Sequence, residues 1–185
     1  MPRFRLLTVA VLALLAASCG PKKAADAPAK PAVSSAEADA FLAKNAKAPG
    51  VKVTPSGLQY KIISSGPEGG PHPTPRDEVK VNYTGTLVSG EVFDSTDQRG
   101  QPAVFQLDGL VPGWIEGLQL MRPGDVWILY VPPKLGYGDE EKGPIPANSV
   151  LVFRLELLGV LKTGEQGLAL DGGHGQAALH RRAGV

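Results

Sequence analysis

Proline and glycine divide residues 57–161 so finely that only short elements can form there. Gly66, Pro67, Gly69, Gly70, Pro71, Pro73 and Pro75 fill one stretch, and Pro132, Pro133, Gly136, Gly138, Gly143, Pro144 and Pro146 fill another. Glycine loses most entropy in a regular element, and proline cannot donate to a ladder or continue a helix. What lies between these breaks alternates with a period of two. Leu58, Tyr60 and Ile62 form one apolar series; Val79, Val81 and Tyr83 form a second. Phe105 with Leu107 is shorter, and Leu151, Phe153, Leu155 and Leu157 close the region. Such alternation marks half-buried strands. Val126 to Val131 is continuously apolar, which predicts a strand buried on both faces. One slot suits a helix. Pro112 can occupy its first position, Trp114, Leu118 and Met121 fall on one face, and Pro123-Gly124 ends it after about Leu120. The expected class is α+β, an antiparallel sheet packed over one short helix.

The chain before this region divides by composition. Arg3 and Arg5 precede an apolar run from Leu6 to Ala17, too short for a bilayer core, which needs about 20 residues. That is the pattern of a secretory signal peptide over residues 1–18. Cys19 is the only cysteine among 185 residues, so no intrachain disulfide can form. The run Leu15-Ala16-Ala17-Ser18-Cys19 resembles the bacterial lipobox, with Ala16 where a leucine is usual and Leu15 one place earlier. The resemblance implies lipidation of Cys19 and anchoring to a membrane. Cleavage near Ala17, leaving a soluble periplasmic protein, is the alternative. Gly20 in place of a retention aspartate points to the outer membrane. Residues 19–36 are rich in Pro, Ala, Lys and Ser and read as a flexible linker. Residues 37–56 hold a short helix, which Ser34 or Ser35 could cap and Pro49-Gly50 stops, and a lead-in. Residues 162–185 read as a disordered tail.

Several functions are excluded. A net charge of +1 argues against a nucleic-acid partner, which would need a clustered basic face. His174 and His180, six apart with no carboxylate or cysteine between them, make a poor metal site, and no metal is expected. No Gly-x-Ser-x-Gly nucleophile pattern or phosphate-binding glycine loop occurs. An enzyme built from this chain would work without covalent chemistry or a cofactor. Its aromatic residues, Tyr83, Phe93, Phe105, Trp114, Tyr137 and Phe153, are spread over nearly every element of residues 57–161. Either they form an ordinary core or they line a concave apolar pocket. Period and composition do not choose between the two.

Local strings do. Val81-Asn82-Tyr83-Thr84-Gly85, then Phe93-Asp94-Ser95-Thr96 with Arg99 and Pro102, then Pro112-Gly113-Trp114-Ile115-Glu116-Gly117, then Leu135-Gly136-Tyr137-Gly138, then Ile145-Pro146 and Leu151-Val152-Phe153 follow one another in order. They resemble the FKBP family of peptidyl-prolyl cis-trans isomerases over residues 57–161. Phe41-Leu42-Ala43-Lys44-Asn45 and Ser56-Gly57-Leu58-Gln59-Tyr60 resemble its bacterial periplasmic, macrophage-infectivity-potentiator branch.

The resemblance implies a sheet wrapped around one short helix, and isomerisation of Xaa-Pro bonds in proteins folding outside the cytoplasm. It implies Trp114 as the floor beneath the proline ring, with Tyr83, Phe93, Val111, Ile145 and Phe153 as walls, Leu110 at the rim, and Phe105 in the substrate site. Tyr137 would offer its hydroxyl, and Ile145 its backbone N–H, to substrate carbonyls. Asp94 would lie beside the reacting carbonyl, held by Tyr83 and Arg99. Rapamycin and tacrolimus would be inhibitors. An FKBP-fold chaperone or proline-binding module with little turnover is the alternative. Two departures stand out: Ala103 replaces an aromatic residue common after the Arg-x-x-Pro stretch, and Asp139, Glu140, Glu141 and Lys142 occupy a shortened loop before Ile145. The branch often carries a long helical dimerisation segment; residues 37–56 are short for that, so a monomer is expected.

Overall fold

The computed structural model describes residues 31–162. The expected signal peptide, Cys19 and the tail from residue 163 onward lie outside them. The first helix, α1 (Ser35–Asn45), begins inside the segment expected as linker. A capping box starts it: Glu37 N–H donates to Ser34 Oγ at 3.2 Å, and Ser34 N–H donates to Glu37 Oε2 at 3.0 Å. Just before it, Val33 N–H donates to Ala147 C=O at 3.0 Å, so this end of the expected linker is fastened to the domain. The far end of α1 is fastened as well. The buried Gln59 amide donates to Leu42 C=O at 2.9 Å and accepts from Asn45 Nδ2 at 2.8 Å.

Seven strands follow: β1 (Val51–Val53), β2 (Gln59–Ser64), β3 (Glu78–Leu87), β4 (Val92–Ser95), β5 (Ala103–Gln106), β6 (Val126–Val131) and β7 (Leu151–Leu161). They form one antiparallel sheet in the order β1-β2-β6-β7-β3-β4, with β5 also on β3. Two strands thus share the outer edge of β3. β5 covers Glu78–Val81 and β4 covers Thr84–Thr86, with the one-turn helix α2 (Thr96–Arg99) between them. The class expected from the sequence, α+β with an antiparallel sheet around one helix, is the one observed.

That central helix is α3 (Pro112–Leu120), and Trp114, Leu118 and Met121 are buried along it as their spacing predicts. Two glycines one turn apart bring it close to the sheet. A Cβ on Gly113 would stand 2.6 Å from Val131 Cγ1, and one on Gly117 would stand 2.7 Å from Leu129 Cδ1. No side chain fits in either gap, so the helix backbone lies directly on β6. Fully buried Val79, Val81, Leu155 and Leu157 continue this core through β3 and β7.

The expectation of a doubly buried β6 needs correction. Trp127, Leu129 and Val131 are buried, but Val126, Ile128 and Tyr130 are only partly so. Their face is the outer one, on which the Phe41 ring of α1 approaches Tyr130 at 6.2 Å between centroids. A continuous apolar run arises here because one face meets the core and the other a thin helical cover.

Candidate active site

The inner face of the sheet and the start of α3 enclose an aromatic hollow. Trp114 follows Pro112-Gly113 at the first turn of α3 and is 4% exposed. Three rings stand edge-on to it: Tyr83 at 5.0 Å and 86°, Phe153 at 5.1 Å and 86°, and Phe105 at 6.0 Å and 79°. Phe93 extends this wall, packed edge-to-face on Phe153 at 5.6 Å. Perpendicular contacts put the positive edge of one ring against the negative face of another, which favours them over flat stacking. Gly85 on β3 makes room for the pair, since a Cβ there would come within 2.6 Å of the Phe93 ring and 2.9 Å of Phe153. The Trp114 indole N–H is buried with no acceptor among the described residues.

The hollow measures about 430 Å³, within the usual range for small-ligand pockets. Ten of the eleven site residues expected from the sequence line it. Tyr83, Phe93, Phe105, Trp114 and Phe153 supply the rings just described. Asp94, Leu110, Val111, Tyr137 and Ile145 stand around them. Pro144 and Gly109, which sequence reasoning missed, also contribute; both adjoin residues that it did single out. Ala103 does not reach the hollow. It lies in β5 opposite Val81, packed against the core. Asp139, Glu140, Glu141 and Lys142 are exposed on the loop that links Tyr137 to Ile145.

Arg99 is the eleventh residue, and it stands behind the lining. From α2 its guanidinium donates to Asp94 Oδ1 at 2.9 Å and to the Tyr83 hydroxyl oxygen, while that hydroxyl donates to Asp94 Oδ2 at 2.5 Å. The guanidinium also sits over the Tyr83 ring, 5.4 Å from its centroid. Side-chain exposures of 45% for Arg99 and 47% for Asp94 place the ion pair at the mouth. An exposed pair is worth only about 0–1 kcal/mol, so its consequence is the orientation of the carboxylate rather than fold stability. Burial pushes the Tyr83 phenol up to about 12, and the hydrogen bond to Asp94 adds to this against the opposing pull of Arg99. Tyr83 is therefore a neutral donor at any physiological pH.

One expectation is corrected. The Ile145 N–H does not face the hollow as a free donor; it donates to Lys142 C=O at 3.0 Å, and Lys142 N–H returns a bond to Ile145 C=O at 2.9 Å. The tight turn at Gly143-Pro144 uses both backbone groups. The Ile145 side chain remains buried at the wall. The Val111 N–H, by contrast, has no acceptor among the described residues, because Val111 is the N-cap of α3. Tyr137 is 36% exposed, and no hydrogen bond joins its hydroxyl to a described residue.

An antiparallel sheet packed on a helix, with an indole-floored aromatic hollow and one oriented carboxylate at its mouth, has the shape and lining to take a compact apolar group. Known proteins say which class this is. Residues 69–158 match the family model described as FKBP-type peptidyl-prolyl cis-trans isomerase, and residues 11–62 match the domain amino-terminal to it. The outer membrane protein MIP of Legionella longbeachae is 47% identical over 142 residues, covering 76% of this chain and 60% of that protein. The FKBP-type isomerase FkpA of Aeromonas hydrophila is 50% identical over 127 residues, 69% of this chain and 47% of the relative. The chain thus spans between about half and three fifths of these two relatives' length. Among solved structures, a Pseudomonas syringae peptidyl-prolyl isomerase superposes with a TM-score of 0.63 at 35% identity, covering 68% of this chain and 91% of that one. FkpA from Escherichia coli gives 0.65 at 44% identity, over 68% of this chain and 58% of that one. The chain belongs to the FKBP-type peptidyl-prolyl cis-trans isomerase family.

Proposed function

We propose that the chain accelerates rotation about Xaa-Pro bonds in polypeptides folding outside the cytoplasm. The hollow floored by Trp114 carries this reading. Rotation about an amide bond meets a barrier of about 18–20 kcal/mol because resonance stiffens the C–N bond, and an unassisted prolyl bond takes tens to hundreds of seconds to exchange. At the twisted transition state that resonance is lost and the carbonyl is less polar. A water-poor aromatic cup binds the twisted form better than the planar one, which loses more hydration on entry. The proline ring rests on Trp114 between Tyr83, Phe93 and Phe153. Asp94, oriented by Tyr83 and Arg99, lies beside the reacting carbonyl, and the Tyr137 hydroxyl and Val111 N–H donate to carbonyls on either side. Lowering the barrier by about 5 kcal/mol would accelerate exchange by roughly several thousandfold. No proton moves and no cofactor takes part.

The same hollow is the expected site of macrolides such as rapamycin and tacrolimus. The leader-like residues 1–18 and the lipobox-like run ending at Cys19 support a periplasmic protein anchored to the outer membrane through lipid, and the shortness of residues 37–56 supports a monomer. The name of the L. longbeachae relative, an outer membrane protein, agrees with that location.

The test compares the full chain with Asp94→Ala in a prolyl-peptide exchange assay. Wild type accelerates exchange and rapamycin blocks it, while Asp94→Ala loses about tenfold or more in kcat/KM, about 1.4 kcal/mol of transition-state binding. Its Tm stays nearly unchanged, as expected for an exposed pair. A wild-type rate equal to that of peptide alone, with macrolide affinity retained, would make the protein a proline-binding module instead.

A further inference from the structure

The outer edge of β3 has a gap beside the most heavily used residue of the site. β5 pairs as far as Val81 and β4 begins at Thr84, so neither strand meets Tyr83 on that side. Its backbone groups are satisfied by one side chain. Thr96 Oγ1 accepts from Tyr83 N–H at 2.9 Å and donates to Tyr83 C=O at 3.2 Å. The hydroxyl is both acceptor and donor, and so replaces the paired C=O and N–H of a missing strand residue. Thr96 is 2% exposed and does not line the hollow.

We infer that Thr96 is a positioning residue for the isomerase site: its hydroxyl fixes the Tyr83 backbone to the Asp94–Arg99 segment and thereby sets where the phenol meets the carboxylate. Asp94 lies two residues before Thr96 and Arg99 three after it, and both bond the Tyr83 phenol oxygen. One six-residue segment therefore grips Tyr83 at both ends, backbone and hydroxyl. Asp94 and Ser95 pair with Gly85 and Thr84 at the end of the β3–β4 ladder, but that ladder stops at Ser95, and the Thr96 hydroxyl carries the attachment to the β3 backbone one residue further. Ser95 Oγ accepts from Asp97 N–H at 3.1 Å within the segment, and its contact with Thr84 Oγ1 is 3.3 Å. Without the Thr96 hydroxyl, two buried backbone groups of Tyr83 would lack partners, and the segment would slide to expose them to water. A displacement of about 1 Å in a positioned group can cost a hundredfold in rate.

This inference rests on the isomerase reading, but its test has readouts that do not. Thr96→Val keeps the shape and removes the hydroxyl; Thr96→Ser keeps the hydroxyl. In the full chain, Thr96→Val should lower kcat by about tenfold or more with a smaller change in KM, and Thr96→Ser should stay within about threefold of wild type. The Tyr83 phenol, followed by NMR with ¹³C-labelled tyrosine and assigned through Tyr83→Phe, should keep its wild-type Cζ chemical shift in Thr96→Ser and depart from it in Thr96→Val, where the carboxylate and guanidinium at its oxygen are displaced. Should Thr96→Val not fold, the wild type alone decides. Its Thr96 hydroxyl proton should exchange slowly and show a cross-peak to the Tyr83 amide proton, and a solvent-averaged hydroxyl would overturn the clamp. Unchanged turnover and an unchanged Tyr83 Cζ shift in Thr96→Val, or losses in Thr96→Ser as large as in Thr96→Val, would also overturn it. A wild type that does not accelerate prolyl exchange sinks the functional reading alone, while the Tyr83 Cζ shift and the hydroxyl signal still judge the clamp.

Discussion

The Tyr83 ring packs against Trp114 and Phe105 while its oxygen bonds Asp94 and Arg99, so one side chain joins the floor of the hollow to its mouth. The fold holds this phenol neutral by raising it from about 10 to about 12. A raised value means the contribution to stability is complete below pH 10 and is lost as pH climbs from 10 through 12. The Tm difference between wild type and Tyr83→Phe should therefore be constant from pH 7 to 9 and narrow between pH 10 and 12; scanning calorimetry across that range checks it. At this scale most of the site was legible. The rings and Asp94 sit in strings of fixed order, and a side chain's place in such a string transfers with it. Backbone donors were less legible. Whether Ile145 or Val111 has a free N–H depends on the turn at Gly143-Pro144 and on the helix N-cap, which are settled by conformation rather than residue type. Thr96 left no separate signal, since a hydroxyl standing in for a strand looks like any threonine beside a serine.

α3 positions Trp114, and its closeness to β6 depends on Gly113 and Gly117. In Gly117→Ala, helix propensity would gain about 1 kcal/mol, but the new Cβ would lie 2.7 Å from Leu129 Cδ1 in a fully buried contact. Overpacking of that kind costs about 1–3 kcal/mol. The cost exceeds the gain, so chemical denaturation should show a less stable protein, and turnover should fall as Trp114 lifts with the helix. α1 depends on a different device. The two hydrogen bonds from Ser34, side chain first, hold the Glu37 carboxyl below its ordinary value. The cap is thus intact above about pH 4.5 and weakens as pH falls further. Ser34→Ala should destabilise α1 by about 1 kcal/mol, read as faster amide exchange in residues 35–45 with the exchange of β3 and β7 unchanged. Long elements were readable because they complete a period: α3 has the bounds that Pro112 and Pro123 suggest, and β3 and β7 follow their alternation. β1, β4 and α2, of three or four residues each, are too short to show one.

Across the whole molecule, strand order carries the site and was not readable from local pattern. β7 lies between β6 and β3, and two short strands divide one edge of β3. These pairings join residues far apart in sequence, and no window of a dozen residues records them. Their consequence is that β3, β7, the β4–α2 segment and α3 each deliver a wall of one cup: Tyr83, Phe153, Phe93 with Asp94, and Trp114. The second tryptophan, Trp127, is stacked on Tyr60 at 4.6 Å outside that cup and serves as an internal control. The most direct measurement is a nuclear Overhauser spectrum of the full chain with a short prolyl peptide. Cross-peaks from the proline ring protons to the Trp114 indole, with none to Trp127, are the predicted result. A peptide whose proline ring contacts neither Trp114 nor its aromatic neighbours, while still bound or still isomerised, would contradict the account.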